Sequence, residues 1–388
     1  MDVITFYLEL CLRLGRHIDG LVDAYYGPPE ISERIESEEL REPSGLVADT
    51  AALLTSLDDS GLDEQRRRWL RSQLGGLEIV ARKLVGEEVA YEDEVERCYG
   101  VRPRWADDQA FETAHGELDQ VLPGKGSLAE RYQAWREDDA LQGEELATVY
   151  RALLEDFRAR TKALVGLPET EDVEVQYVSD KPWAAYNYYL GGLRSRIEVN
   201  TEAPLTPSFV VELAAHEAYP GHHTEQAWKE QLRVRDRGEL EESAHMIGTP
   251  SALISEGIAG LAAEILLGDE EQEVTAKHVA DTAVAYDPDV SRAVQKAIVP
   301  LGGVQGNAAL MLHTRGASTE EAIEYLMRWG LTSRRRAEHL TRFIIDPVWR
   351  SYVSTYTDGY DLCRDFVDGD PARFKRLLTE PLTPADLR

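Results

Sequence analysis

Apolar residues recur at three- and four-residue spacing from Val3 to Tyr26, until Gly27-Pro28-Pro29 interrupts them, and this period predicts a helix over the whole stretch. The same period predicts helices at about 46–57, 62–87, 107–121, 127–137 and 144–166, with Leu122-Pro123-Gly124-Lys125-Gly126 as a turn between two of them. The pattern then changes. Asp172 to Asp180 contains Val-Glu-Val-Gln-Tyr-Val, whose period of two predicts a strand, and Arg196-Ile197-Glu198-Val199-Asn200 predicts a second short one. Tyr186-Asn187-Tyr188-Tyr189 and Gly191-Gly192 are assigned to the loop between them, where the aromatics either line a cleft or roof the core. From Ser208 the helical period returns, and Ala252 to Leu267 is a further helix. The expected fold is mainly α with a small β-sheet. Gly166 to Glu171 is the best break, separating an N-terminal helical section, 1–167, from a section 168–388, with both sharing one core.

The candidate chemistry lies in His216-Glu217-Ala218-Tyr219-Pro220-Gly221-His222-His223. In the zinc-protease motif H-E-x-x-H, two histidines four apart on one helix face bind one zinc ion and the glutamate is the general base. Here Pro220 fills the fourth position. On an unbroken helix His223 lies roughly 10 Å up the axis from His216, and His222 points about 120° away. Proline and glycine together favour a bulge, and looping out two residues brings His222 to the place of i+4. The competing reading is a helix that ends at Pro220-Gly221 and leaves the histidines in water. The apolar approach Ser208 to Ala215 favours burial of His216 and Glu217, and buried charge needs a partner.

These residues resemble the bacterial domain of unknown function 885 family, grouped with the gluzincin metallopeptidases, whose hallmark is H-E-x-x-P-G-H followed by E-G-x-A. The second half stands here as Glu256-Gly257-Ile258-Ala259. His313 to Ala322 resembles a family segment in which a histidine precedes a W-S/T-x-E-x-A helix, and Tyr356-Thr357-Asp358-Gly359 resembles its C-terminal Y-x-x-G element. The four markers keep the family order over residues 216–359. The chain departs from the pattern at Ile258 and Ala317, where the family has tryptophan, and family members are longer and often secreted.

The resemblance implies a zincin-like metallopeptidase fold with one Zn2+ held by His216, His222 and Glu256, and Glu217 as base. Glu256 is preferred over Glu264, because the two are eight residues apart, about 12 Å along a helix, and cannot touch one ion. Glu264 then orients a ligand histidine. Tyr352, Tyr356 and Tyr360 form a stripe that suits either core or catalysis. Tyr356 fills the family slot and is the expected oxyanion donor, with His313 second. His223 is expected to contact a ligand or the substrate. The strand ending at Asn200 is read either as an edge strand that pairs with substrate or as a structural hairpin.

Composition narrows the partners. Asp and Glu number 71 against 42 Lys and Arg, a net charge of -29, which repels phosphate backbones and anionic membranes. Arg334-Arg335-Arg336 reads as a solvated helix face. Three scattered cysteines, Cys11, Cys98 and Cys363, suit no disulfide framework and read as buried apolar residues. With neither a signal segment nor an 18-residue apolar run in the sequence, the expectation is a cytoplasmic hydrolase of short peptides or small amides. The alternatives are a non-catalytic binding protein of the same fold and a hydrolase of a non-peptide amide or ester.

Overall fold

The computed structural model describes residues 2–181, 183–202 and 205–388. The chain is mainly helical. The first helix, Val3–Gly15, ends well before the Gly-Pro-Pro stop, and strand β1, Val22–Tyr25, follows. The apolar spacing in Val22-Asp23-Ala24-Tyr25 is shared by helix and strand over so few residues, and a distant partner decides it: β5, Ala244–Met246, pairs antiparallel with β1. The helices predicted from 46 to 166 are present, together with two that the period missed, Pro29–Ser37 and Tyr91–Tyr99.

A three-stranded sheet comes next, formed by β2 (Asp172–Val178), β3 (Ala185–Gly191) and β4 (Arg194–Asn200). Its order is β2-β4-β3, with β2 parallel and β3 antiparallel to β4. Two expectations change here. The tyrosine-rich segment is strand β3 and not a loop, turning at Gly191 and Gly192, whose positive φ values suit glycine. Strand β4 is central, so it has no free edge for a substrate. Asn200 donates its backbone N–H to the Ala184 carbonyl (2.8 Å) and its side-chain amide to the Lys181 and Trp183 carbonyls, a structural role that leaves nothing for a ligand.

The two sections share their interior. The largest apolar cluster runs from Val3 and Trp69 to Leu253, Trp329 and Val353, and β1 and β5 join residues more than 200 positions apart. The helical stretch Pro250–Val279 is long and apolar enough to cross a bilayer, with mean hydropathy 1.4, but 61% of that window is buried inside the protein. The three cysteines are free and buried, and Arg334 pairs with Glu320 and Glu338 on an exposed face.

Helix Pro250–Leu267 crosses helix Val353–Val367 at a glycine contact. A Cβ on Gly257 would overlap the Gly359 carbonyl, and one on Gly359 would overlap the Leu253 carbonyl. The glycines of the two family-like elements, E-G-x-A and Y-x-x-G, are therefore each other's contact surface. Gly260 differs, since its Cβ would meet the Tyr360 ring at an ordinary 3.5 Å. Gly257→Ala is accordingly expected to destabilise by about 2–3 kcal/mol through overpacking, whereas Gly260→Ala should be neutral or gain up to ~1 kcal/mol of helix propensity. Urea unfolding of the pair checks this, and equal stabilities would contradict the close crossing.

Candidate metal centre

Thr206 caps helix Pro207–Glu217 by accepting from the Phe209 amide, and Pro207 suits the first turn, where its missing N–H costs nothing. The helix stops at Glu217. A second helix, His222–Lys229, starts after four intervening residues. The chain therefore breaks and restarts where the sequence suggested a bulge within one helix. Between them the Ala218 amide still reaches the Ala214 carbonyl (3.2 Å), and the Gly221 amide reaches back to the Ala215 carbonyl (2.9 Å). This folds residue 221 onto the final helical turn so closely that any Cβ there would overlap the His216 carbonyl, and only glycine fits.

The break brings two imidazoles together, with the His216 and His222 ring centroids 4.8 Å apart and nearly perpendicular. Glu256, from helix Pro250–Leu267, completes the group: Oε2 lies 3.7 Å from His216 Nε2, and Oε1 lies 3.9 Å from His222 Nε2. The three ligand atoms all fall within 4.8 Å of one another. Tetrahedral zinc bonds of about 2.0–2.1 Å place neighbouring donors roughly 3.4 Å apart, so a slight closure suffices. Tyr352 donates to Glu256 Oε1 at 2.5 Å, whereas Oε2 is buried without a hydrogen-bond partner among the described residues. A carboxylate facing two imidazole nitrogens, with its oxygen beside His216 orphaned, fits a cation. The donor set of two His and one Glu is that of catalytic zinc sites.

Electrostatics agree with this fit. Burial, with His222 adding to it, lowers His216 to about 3, and burial lowers His222 to about 4, so both rings are neutral lone-pair donors at pH 7. Burial and neighbouring carboxylates raise Glu256 to about 7 and Glu217 to about 8. Glu217 is 7% exposed, and Asn187 of β3 donates to its backbone carbonyl (2.6 Å), tying the edge strand to the helix end.

The remaining expected residues divide. Tyr356 is at the site: its ring centroid lies 5.5 Å from that of Tyr352, it is 51% exposed, and burial of its hydroxyl together with Glu256 and Glu217 raises its pKa. His313 is elsewhere, its Nε2 on the Ile344 carbonyl (2.8 Å) and its ring stacked on Tyr91, because its helix end packs into the N-terminal core. Glu264 is exposed, two turns along from Glu256, and accepts from Tyr360 at 2.7 Å rather than orienting a ligand. His223 is fully buried and held by hydrogen bonds between Ser195 Oγ (2.8 Å) and Glu171 Oε2 (2.9 Å), away from Glu256.

Sequence reasoning missed four contributors. Asp23 on β1 accepts from the Tyr186 hydroxyl and raises the pKa of both Glu217 and Glu256, so it stands on the wall of the site. Its helical reading hid it. Tyr352 sat in the stripe but outside the family slot. Ser255 and Glu225, which lie behind His222, carry no motif, although Ser255 directly precedes Glu256.

No family model and no curated protein matches the chain. Among solved structures, it is similar to the putative lipoprotein from Colwellia psychrerythraea, with TM-score 0.52 and 16% identity over 89% of this chain and 68% of that one. It is also similar to a putative lipoprotein of unknown function from Shewanella oneidensis, with TM-score 0.51 and 15% identity over 89% and 71%. At these identities the likeness is one of fold. Both neighbours are described as putative lipoproteins, which runs against the cytoplasmic expectation.

Proton linkage gives a test. In metal-free protein the histidines, lowered to about 3 and about 4, take up protons first in the unfolded chain, so stability falls as pH drops below ~6.5. The carboxyls work oppositely. Their contribution is present below the unfolded value of about 4.3 and is lost as pH rises through about 7 and about 8. A cation needs Glu256 ionised, so it must displace a proton at pH 6 and not at pH 8. Added zinc is expected to raise the thermal midpoint more at pH 8 than at pH 6. Equal shifts would contradict ligation by Glu256.

Proposed function

We propose that this chain is a zinc-dependent hydrolase with a zincin-like active site, acting on short peptides or related small amides, and that it is a relative of the domain of unknown function 885 family. The observation that carries the reading is the Glu256 carboxylate set against both imidazoles, its Oε2 orphaned beside His216, with the desolvated Glu217 carboxyl nearby. Zinc held there supplies a Lewis acid and lowers the pKa of water to about 7.

Glu217 is suited to general-base work. It follows His216 directly, so the helix break that positions the ligand also positions the base. Its raised pKa keeps its proton affinity near that needed to take a proton from water and return it to a leaving amine. Tyr356 has an exposed ring beside the buried Tyr352, and its hydroxyl, held protonated by burial and by the nearby carboxylates, can donate to a developing oxyanion. Tyr352 is committed to Glu256 and orients it. The edge strand tied to the metal helix is β3, through Asn187, and this strand takes the place assigned above to the strand of Asn200.

The test is turnover of a peptide library by zinc-loaded protein. Glu217→Gln is expected to keep the metal and lose hydrolysis by at least about 10³-fold. Tyr356→Phe should lower kcat by roughly 10²-fold with little change in KM. Undiminished turnover in Glu217→Gln would exclude it as the base. Cleavage of an ester library with no peptide cleavage would move the reading to a non-peptide bond.

A further inference from the structure

Behind His222 lies a chain of buried polar groups that the proposed reaction does not use directly. His222 Nδ1 is 3.1 Å from Ser255 Oγ, Ser255 Oγ is 2.6 Å from Glu225 Oε2, and Glu225 Oε1 is 2.6 Å from Lys229 Nζ. Ser255 is 9% exposed, Glu225 0% and Lys229 4%, so water does not complete these bonds. Glu225 and Lys229 share the helix that His222 opens, and Ser255 precedes Glu256 on the helix that crosses it.

Donor and acceptor bookkeeping fixes the direction of every bond. The ammonium of Lys229 can only donate, and the carboxylate paired with it can only accept. Both Glu225 oxygens are then acceptors, so the single hydroxyl proton of Ser255 points at Oε2. With its proton committed, Ser255 Oγ can only accept from His222, which places that ring's proton on Nδ1. The lone pair of the neutral ring is left on Nε2, the atom that faces Glu256 Oε1.

We propose that Ser255, Glu225 and Lys229 form a positioning relay that locks His222 in the tautomer able to ligate a metal through Nε2. The inference rests on the assignment of His222 as a ligand. It makes Glu225, which never touches the metal, a determinant of metal affinity through hydrogen-bond polarity alone.

The relay makes a reversal testable. In Glu225→Gln the amide oxygen must serve Lys229, so the amide NH2 faces Ser255. Ser255 then accepts from it and donates to Nδ1, driving the imidazole proton to Nε2. Nitrogen NMR of histidine-labelled, metal-free protein is expected to show His222 protonated on Nδ1 in the wild type and on Nε2 in Glu225→Gln. Competition titration should show zinc bound roughly 10–100-fold more weakly by Glu225→Gln and by Ser255→Ala, and within about threefold of wild type by Ser255→Thr. A wild-type ring protonated on Nε2, or affinities within about threefold in both disrupting variants, would overturn the relay. If wild type and His216→Ala bind zinc equally, the metal assignment itself fails, and the tautomer measured without metal still decides the relay.

Discussion

Two half-buried neutral imidazoles and two buried carboxyls stand together, and among the described residues no lysine or arginine pairs with Glu217 or Glu256. Isolated burial of such groups is costly, and here its effects are plain: the histidines are pushed down, the carboxyls are pushed up, and one oxygen of Glu256 is left unbonded. A divalent cation would remove all three at once. It would take lone pairs from rings already kept neutral, bind the free oxygen, and balance the negative field of the carboxylates around it. The remainder of the structure holds the group in this condition.

Close backbone approaches hold it, and each depends on a missing side chain. Gly221 lets the chain fold back on the last turn of one helix so that His222 can open the next beside His216. Gly257 and Gly359 let two helices touch, which sets Glu256 opposite Tyr352 and Tyr356. The candidate ligands, base and hydroxyl donor thus come from four helices related by two glycine contacts. β1 and β5 add the N-terminal wall with Asp23, linking the two sections around the site.

The His216, His222 and Glu256 group was legible in the sequence because its residues carry local signals, a His-Glu pair in an apolar helix and a glutamate beside a glycine. Helices with long periods were legible for the same reason. What escaped depended on pairing across the fold. Val22–Tyr25 becomes a strand only because residues 244–246 lie beside it, and β3 turns what looked like a loop into an edge. Asn200, Glu264, His223 and His313 were chosen by position or family likeness, and tertiary hydrogen bonds commit each of them elsewhere. The relay behind His222 has no sequence signature, since its meaning lies in which atom donates to which.

The central claim is that one cation belongs among His216, His222 and Glu256. Zinc K-edge absorption on protein reconstituted with one equivalent of zinc measures this most directly. The account predicts a first shell of nitrogen and oxygen at about 2.0–2.1 Å with two imidazole scattering patterns and no sulfur. A sulfur shell, a single imidazole, or a six-oxygen shell like that of the free aqueous ion would contradict it.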